Sequence, residues 1–395
     1  MNICMFCRVV PDHGRGGMQD VVFDSAKNLV KIGHYVSVIT TRHPKGTTEK
    51  IVNGVKIYFL NKTRSQKYGA DWDREAKEKL VNLHTKQPSD IVHTQGMAAI
   101  WLPRFLKEEG IAIPTIISLH GTYWDELKTS INVMTHPKTF FSIVYSSALI
   151  LLFLVNHLKT MFRIRMFDLV IATSPEQREI LRERYFVSSK KIKVVLNGID
   201  THLFKGGRCL ANKGISLLVV ARLNEEKGAH IALQAVKELT NLIRDIQLII
   251  VGDGKDRKYL KSTAAKLGIS NFVHFVGFVP LTELPEYYRS CDIFLNPTLR
   301  QNGYDLTILQ AMASGKPVIT TNIGSYPTAI DSGKEGFLTS LGDINDLVEK
   351  ILILYKNKQL ALDMGKNGNI KVEKMFTSKQ MAKNLELCYL KLTKK

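Results

Sequence analysis

Short apolar runs alternate with amphipathic stretches along almost the whole chain. Ile3–Val10 is nearly all apolar and reads as a buried strand. Gly16 and Gly17 follow it, then Val21–Ile32 repeats apolar residues at helical spacing, and Gly33 ends that helix before a strand at Val36–Thr40. Ile91–Thr94, Thr115–Leu119, Leu169–Ala172 and Lys193–Leu196 are further strands. This rhythm predicts parallel βαβ units in a doubly wound α/β sheet. The pattern restarts at Ile215–Val220. Strands at Gln247–Val251, Val273–Phe275, Ile293–Leu295 and Val318–Thr320 are interleaved with helices at His230–Leu239, Thr282–Ser290 and Thr307–Ser314. Two Rossmann-like domains are therefore expected, 1–205 and 206–375. The seam falls in Asp200–Gly214, which has little apolar periodicity, and a last helix in 376–395 is expected to pack back on the first domain.

One segment does not fit that rhythm. Thr139–Leu158 runs for 20 residues without Asp, Glu, Lys or Arg, long enough to span a bilayer. It lies inside the first domain, however, and a single crossing would put strands of one sheet on opposite sides of the membrane. Two readings remain: a buried core helix, or a surface helix lying in one leaflet. Lys159, Arg163 and Arg165 follow directly, a cluster suited to anionic lipid headgroups, so 139–165 is a candidate peripheral membrane contact.

A chain of 395 residues is too long for one core, which agrees with two domains. Its five cysteines are scattered, which argues against a disulfide framework and fits a reducing compartment. Cys4 and Cys7 form a CxxC, but inside the first strand run, where burial explains them better than redox or metal chemistry. No second Cys or His cluster completes a zinc site, and no metal is expected. No charged stretch followed by a long apolar run opens the chain, so no signal peptide is expected and the cytoplasm is the expected compartment. The net charge of +19 suits nucleic acid, an anionic membrane or anionic substrates. Without a basic stripe interleaved with aromatics, a zinc finger or a helix-turn-helix, no nucleic-acid partner is expected.

Candidate chemistry collects at strand ends. Gly14-Arg15-Gly16-Gly17 joins the first strand to the first helix, where backbone N–H groups and the helix dipole favour an anion. A tight turn is the plain alternative. The spacing is not G-x-G-x-x-G and no acid closes the second strand, which disfavours a nicotinamide dinucleotide. Arg222 and Lys227 lie just beyond Ile215–Val220, where parallel strands open onto a ligand crevice, and two cations there suit a diphosphate. Gly252 lies in Val251-Gly252-Asp253-Gly254, Asn296-Pro297-Thr298 ends another strand, and Asn302–Gln310 leads a turn into a helix.

Taken in order, GRGGMQDVVFDSAKNLVKIGHYVSVIT, LHG at Leu119–Gly121, VVLNGID, VVARLNEEKG, VGDG, FVGFVP and NPTLRQNGYDLTILQAMASGKPVITT span nearly the whole chain. Together they resemble glycosyltransferase family 4, retaining enzymes of the GT-B fold. The resemblance implies two Rossmann-like domains facing across a cleft. It implies transfer of a sugar from a nucleotide-sugar, UDP- or GDP-linked, to a glycan or lipid-linked acceptor, with no metal and no separate cofactor. By position, Gly16 and Gly17 match glycines near the donor phosphate, and His120 matches a histidine by the donor sugar. Arg222 and Lys227 match the pair that stabilises the departing diphosphate, and Gly303, Tyr304, Asp305 and Leu306 match the loop whose amides meet sugar and phosphate. The family has two glutamates where this chain has Asn302 and Gln310, for sugar and ribose hydroxyls, and a small residue where it has Asp305. Loss of two carboxylates would ease binding of an anionic sugar such as a uronic acid, with Arg300 a candidate partner. A neutral hexose is the plain alternative. An inactive sugar- or nucleotide-binding subunit and a sugar-nucleotide epimerase of the same fold are the competing functions.

Overall fold

The computed structural model describes residues 1–14, 16–136, 140–205, 214–301 and 303–393. Arg15, Thr139 and Asn302 lie outside the described residues, as do the side chains at 140–143, 145 and 146. The chain forms two compact units. The first comprises residues 1–122, 155–199 and 377–395, the second 123–154 and 200–376.

The first unit is built on eight strands: β1 (Asn2–Phe6), β2 (Tyr35–Thr40), β3 (Glu49–Val52), β4 (Val55–Phe59), β5 (Ile91–Gln95), β6 (Thr115–Leu119), β7 (Leu169–Ala172) and β8 (Ile192–Val194). They lie in the order β3-β4-β2-β1-β5-β6-β7-β8. All pairings are parallel except β3 with β4. That hairpin corrects the expectation of purely parallel units. It turns at Asn53 and Gly54, both with positive φ (52° and 79°), and Asn-Gly is itself a hairpin signal. Strands β1, β5 and β6 are buried almost throughout, so they carry continuous apolar runs rather than an alternating pattern. Cys4 and Cys7 are buried, and burial pushes both thiols up to about 12, which leaves them as inert packing groups.

The helix Ser378–Thr393 closes this unit. Asn28 donates to Ser378 (3.2 Å), Ser378 N–H donates to Ile199 O (2.9 Å), and the buried Tyr389 meets His93 (2.7 Å).

The second unit carries β9 (Ile215–Val220), β10 (Ile246–Val251), β11 (Val273–Gly277), β12 (Ile293–Asn296), β13 (Val318–Thr321) and β14 (Gly336–Thr339). Their order is β11-β10-β9-β12-β13-β14, all parallel. Leu217, Val219, Leu248, Ile250, Leu295 and Ile319 pack with Leu233, Val236 and Ile351 of the flanking helices as its core. Residues 123–154 also belong here, although sequence continuity assigned them to a first domain ending at 205. The reason is local: Val133 enters this core, Asn132 donates to Leu299 O (3.0 Å), and Gln301 N–H donates to Thr129 Oγ1 (3.0 Å).

In each unit the strand order reverses once beside a central strand, between β1 and β5 and between β9 and β12. Such switch points leave a crevice at the carboxyl ends of the strands. In the second unit the loops around it are held backbone to backbone. A Cβ on Gly228 would overlap the Pro297 carbonyl, and one on Gly252, at φ +129°, would overlap the Ala221 carbonyl. Only glycine serves there. Gly252→Ala is therefore expected to cost roughly 2 kcal/mol or more of stability. Urea unfolding, read as a lower midpoint at unchanged slope, checks this; an unchanged midpoint would show that the loops have room to part.

Candidate functional site

In the first unit, β1 leads through Gly14 into the helix Gly17–Lys31. Gly16 occupies its N-cap, and its carbonyl accepts from Asp20 N–H (3.2 Å). A glycine there has no side chain to serve as a cap or to block close approach, so the positive end of the dipole is available to an anion. Gly16 and Gly17 thus sit where the sequence placed them.

His120 follows β6 at the strand's carboxyl end. Its Nε2 lies 2.9 Å from Gln95 Oε1, at the end of the neighbouring strand β5. A carboxamide oxygen only accepts, so Nε2 carries the proton and Nδ1 is an acceptor. That Nδ1 is buried without a hydrogen-bond partner among the described residues. Burial lowers the His120 pKa to about 4. Behind it His93 meets Tyr389 and Ser118, each at 2.7 Å. Burial first, then the neighbouring His120, lowers the His93 pKa to about 3. Both rings are neutral near pH 7, so His120 can exchange hydrogen bonds but cannot serve there as a cation. Gln95 and His93 had no signal in the sequence, because nothing about β5 marks two of its side chains as neighbours of the residue after β6.

In the second unit the loop after β9 carries both candidate cations, but in different states. Arg222 is exposed. Lys227 is buried at the end of a short 3-10 turn, Glu225–Lys227. Its Nζ lies 2.5 Å from Asp305 Oδ1, with only 7% and 17% of the two side chains exposed. Asp305 Oδ2 accepts from Tyr326 OH (2.9 Å) and, more weakly, from Asn296 Nδ2 (3.4 Å). Burial alone would raise the Asp305 carboxyl, but Lys227 and Arg300, with the hydrogen bonds from Lys227 and Tyr326, hold it below the usual range. Burial outweighs Asp305 at the Lys227 ammonium and lowers its pKa. Both directions are consistent with one charged pair kept out of water. Tyr326, from the segment after β13, was invisible to motif reading because only the fold brings β13 beside β12.

The remaining residues fall around this pair. Gly303, Tyr304, Asp305 and Leu306 form the turn into the helix Leu306–Ala313. Asp305 holds its N-cap: its backbone carbonyl accepts from Ile308 N–H (3.1 Å), but its carboxylate accepts no hydrogen bond from that helix. Gln310 is buried, and its Oε1 accepts from Tyr288 OH at 2.8 Å. Gly252 donates its N–H to Gly277 O at 2.7 Å, so this amide is committed to the fold rather than to an anion. Asn302 lies outside the described residues. Arg300 has Glu126 at 3.8 Å and Asp305 nearby, so its charge is already answered by carboxylates.

The chain matches two family models in sequence. "Glycosyltransferase Family 4" covers residues 15–203 and "Glycosyl transferases group 1" covers residues 209–371. A D-inositol 3-phosphate glycosyltransferase of Corynebacterium jeikeium is 32% identical over 216 residues, 50% of this chain and 51% of that protein. In structure, sucrose-phosphate synthase from Thermosynechococcus elongatus superposes with a TM-score of 0.81 at 19% identity, over 99% of this chain and 98% of that one. Anabaena Alr3699/HepE, solved in complex with UDP-glucose, gives a TM-score of 0.72 at 19% identity, over 98% and 99% of the two chains.

The neutral histidines set a pH dependence. Below the unfolded pKa of about 6.5 the unfolded chain takes up protons that folded His93 and His120 refuse, so stability is full above about pH 6.5 and falls toward pH 4. Each ring contributes up to about 1.4 kcal/mol per pH unit in that window. Urea unfolding at pH 7.5 and 5.5 should show the loss, and His93→Gln should flatten it. An equal slope in the variant would remove His93 from this account.

Proposed function

The chain belongs to the glycosyltransferases of the family 4 type, with the GT-B fold, and we propose that it is a retaining hexosyltransferase that uses a nucleotide-sugar and needs no metal. One observation carries this reading. At the β9/β12 switch point the second unit gathers Arg222, Lys227 and the start of the helix Leu306–Ala313 at the carboxyl ends of adjacent parallel strands. Cations and helix amides together suit a diphosphate.

In this mechanism the bond from the sugar's anomeric carbon to the diphosphate oxygen breaks, and a bond to the acceptor hydroxyl forms on the same face. The hydroxyl proton passes to the departing phosphate. Charge grows on that phosphate, and Arg222, Lys227 and the helix amides stabilise it, so no Asp or Glu nucleophile is used. Gln310 offers the ribose its amide while Tyr288 holds the oxygen end. Neutral His120, with its open Nδ1, is the first unit's candidate for a sugar hydroxyl. Arg300 is already faced by Glu126 and Asp305, so a uronate there would add a third carboxylate beside it, which favours a neutral hexose. A UDP- or GDP-linked donor fits the family, and the Anabaena protein's UDP-glucose supports the former.

The acceptor we propose is lipid-linked, met at the cytoplasmic face of a membrane. The helix Phe140–Arg165 supports this, since Leu151 (66% exposed), Val155, Leu158 (53%), Phe162 (64%) and Met166 form an outward apolar stripe. Lys159, Arg163 and Arg165 beside it are also exposed, while His157, Thr160 and Ile164 turn inward. Most described side chains of this segment are exposed or half-exposed rather than buried, which favours the surface reading over the buried-core one. An apolar stripe flanked by cations matches an anionic lipid surface.

Two measurements test these readings. Arg222→Ala should lower transfer by about 10²-fold with the fold intact, because Arg222 is exposed. Lys227→Ala should do as much and also lose some stability, since Asp305 loses its nearest cation and keeps only the neutral donors Tyr326 and Asn296. Turnover should survive EDTA; normal activity in Arg222→Ala, or loss of activity with chelator, would sink the proposed chemistry. Turnover of donor without acceptor would point instead to an epimerase. For the membrane, the protein should pellet with vesicles rich in phosphatidylserine, less so at high salt. Changing Lys159, Arg163 and Arg165 to Gln should weaken this by about 100-fold, at about 1 kcal/mol per cation. No pelleting at low salt would rule the contact out.

A further inference from the structure

Asp305 occupies a position where a carboxylate ordinarily caps its own helix. Its carboxylate accepts nothing from that helix. Its oxygens are engaged by Lys227, Tyr326 and Asn296 at 2.5, 2.9 and 3.4 Å. Lys227 is buried, and a buried ammonium needs an anion beside it. A nucleoside diphosphate would be such an anion, and so is Asp305. The two compete for one cation.

We propose that Asp305 is an internal counter-ion that stands in for the donor's phosphate at Lys227, so that a nucleotide gains Lys227 only by exchanging places with it. This rests on the nucleotide-sugar reading above. Three features support exchange rather than a permanent strut. Tyr326 OH and Asn296 Nδ2 are two further donors that keep the Asp305 carboxylate satisfied when Lys227 leaves it. Lys227 is a flexible single-point cation and can swing, which the planar fork of an arginine does less easily. Because the Asp305 carboxylate turns to Lys227 rather than to its own helix, it does not occupy the helix start, which is left available to the same phosphate.

The exchange has a direction. A free nucleoside diphosphate carries one more negative charge than its sugar ester, so it draws more from an unshared lysine. A carboxylate sharing that lysine therefore weakens the product more than the donor, and the site releases its spent nucleotide readily. Asp305 is thus a specificity-determining residue for the charge state of the phosphate.

The test is isothermal titration of UDP, GDP and ADP, and of UDP-glucose, GDP-mannose and ADP-glucose, into the full chain. Wild type, Asp305→Asn, Asp305→Ser, Lys227→Met and Asp305→Asn with Lys227→Met are compared, with folding checked by circular dichroism. Asp305→Ser serves if Asp305→Asn does not fold, since it leaves room for water beside Lys227. For the nucleotide that wild type binds best, loss of the carboxylate should tighten the free diphosphate tenfold or more and its sugar ester by less. The gain should vanish when Lys227 is Met. Unchanged or weaker binding of the diphosphate in a folded Asp305 variant would overturn the exchange and make Asp305 a strut for Lys227, leaving the nucleotide-sugar reading intact. If none of the six ligands binds wild type or any variant, the nucleotide-sugar reading fails, and the exchange with it.

Discussion

Burial of Lys227 is the constraint from which the chemistry of the second unit follows. A lone ammonium taken out of water is untenable, and its pairing with Asp305 makes the arrangement possible. That pairing in turn requires the loop after β9 and the start of the helix Leu306–Ala313 to meet, which the adjacency of β9 and β12 ensures. Gly228 lets the β9 loop lie against the Pro297 carbonyl, and Gly252 lets the β10 end lie against Ala221. Tyr326 reaches the same carboxylate because β13 lies on the far side of β12. One ion pair thus draws on three neighbouring strand ends.

The first unit uses a different principle. In β5 and just after β6 two buried imidazoles are neutral: His93 is held between Tyr389 and Ser118, and His120 is held by Gln95. Neutral imidazoles tolerate burial where an ammonium would need an anion, at the cost of refusing protons down to about pH 4 and 3.

The later turns of the helix Phe140–Arg165 present two unlike faces. They face inward through His157, Thr160 and Ile164, and outward through Leu158, Phe162 and Met166 beside Arg163 and Arg165. Outward apolar groups in such a row are unfavourable in water, so a surface that covers them lowers the free energy of the whole chain.

Much of this was written in the sequence. Parallel strands buried on both faces must be continuous apolar runs, so Thr115–Leu119, Leu169–Ala172 and Ile215–Val220 were legible to the residue. The Gly16-Gly17 cap and the Arg222 and Lys227 loop were legible too, because strand ends and helix starts are local features. Other features were not local. The β3–β4 hairpin was carried by an Asn-Gly signal in a stretch whose exposed strand lacks a strong apolar pattern. The membership of 123–154 in the second unit, the Tyr389–His93 contact and the meeting of Lys227, Asp305 and Tyr326 join residues far apart in the chain. Periodicity reports which face of an element is buried, and motifs report which residues follow a strand. Neither reports which neighbour a buried polar group finds, and that neighbour decides whether Lys227 is a free cation or half of a pair. Sequence therefore determined the family, the sheets and the list of candidate residues. Tertiary structure alone decided their charge partners, because hydrogen bonds and ion pairs form between atoms close in space rather than in sequence.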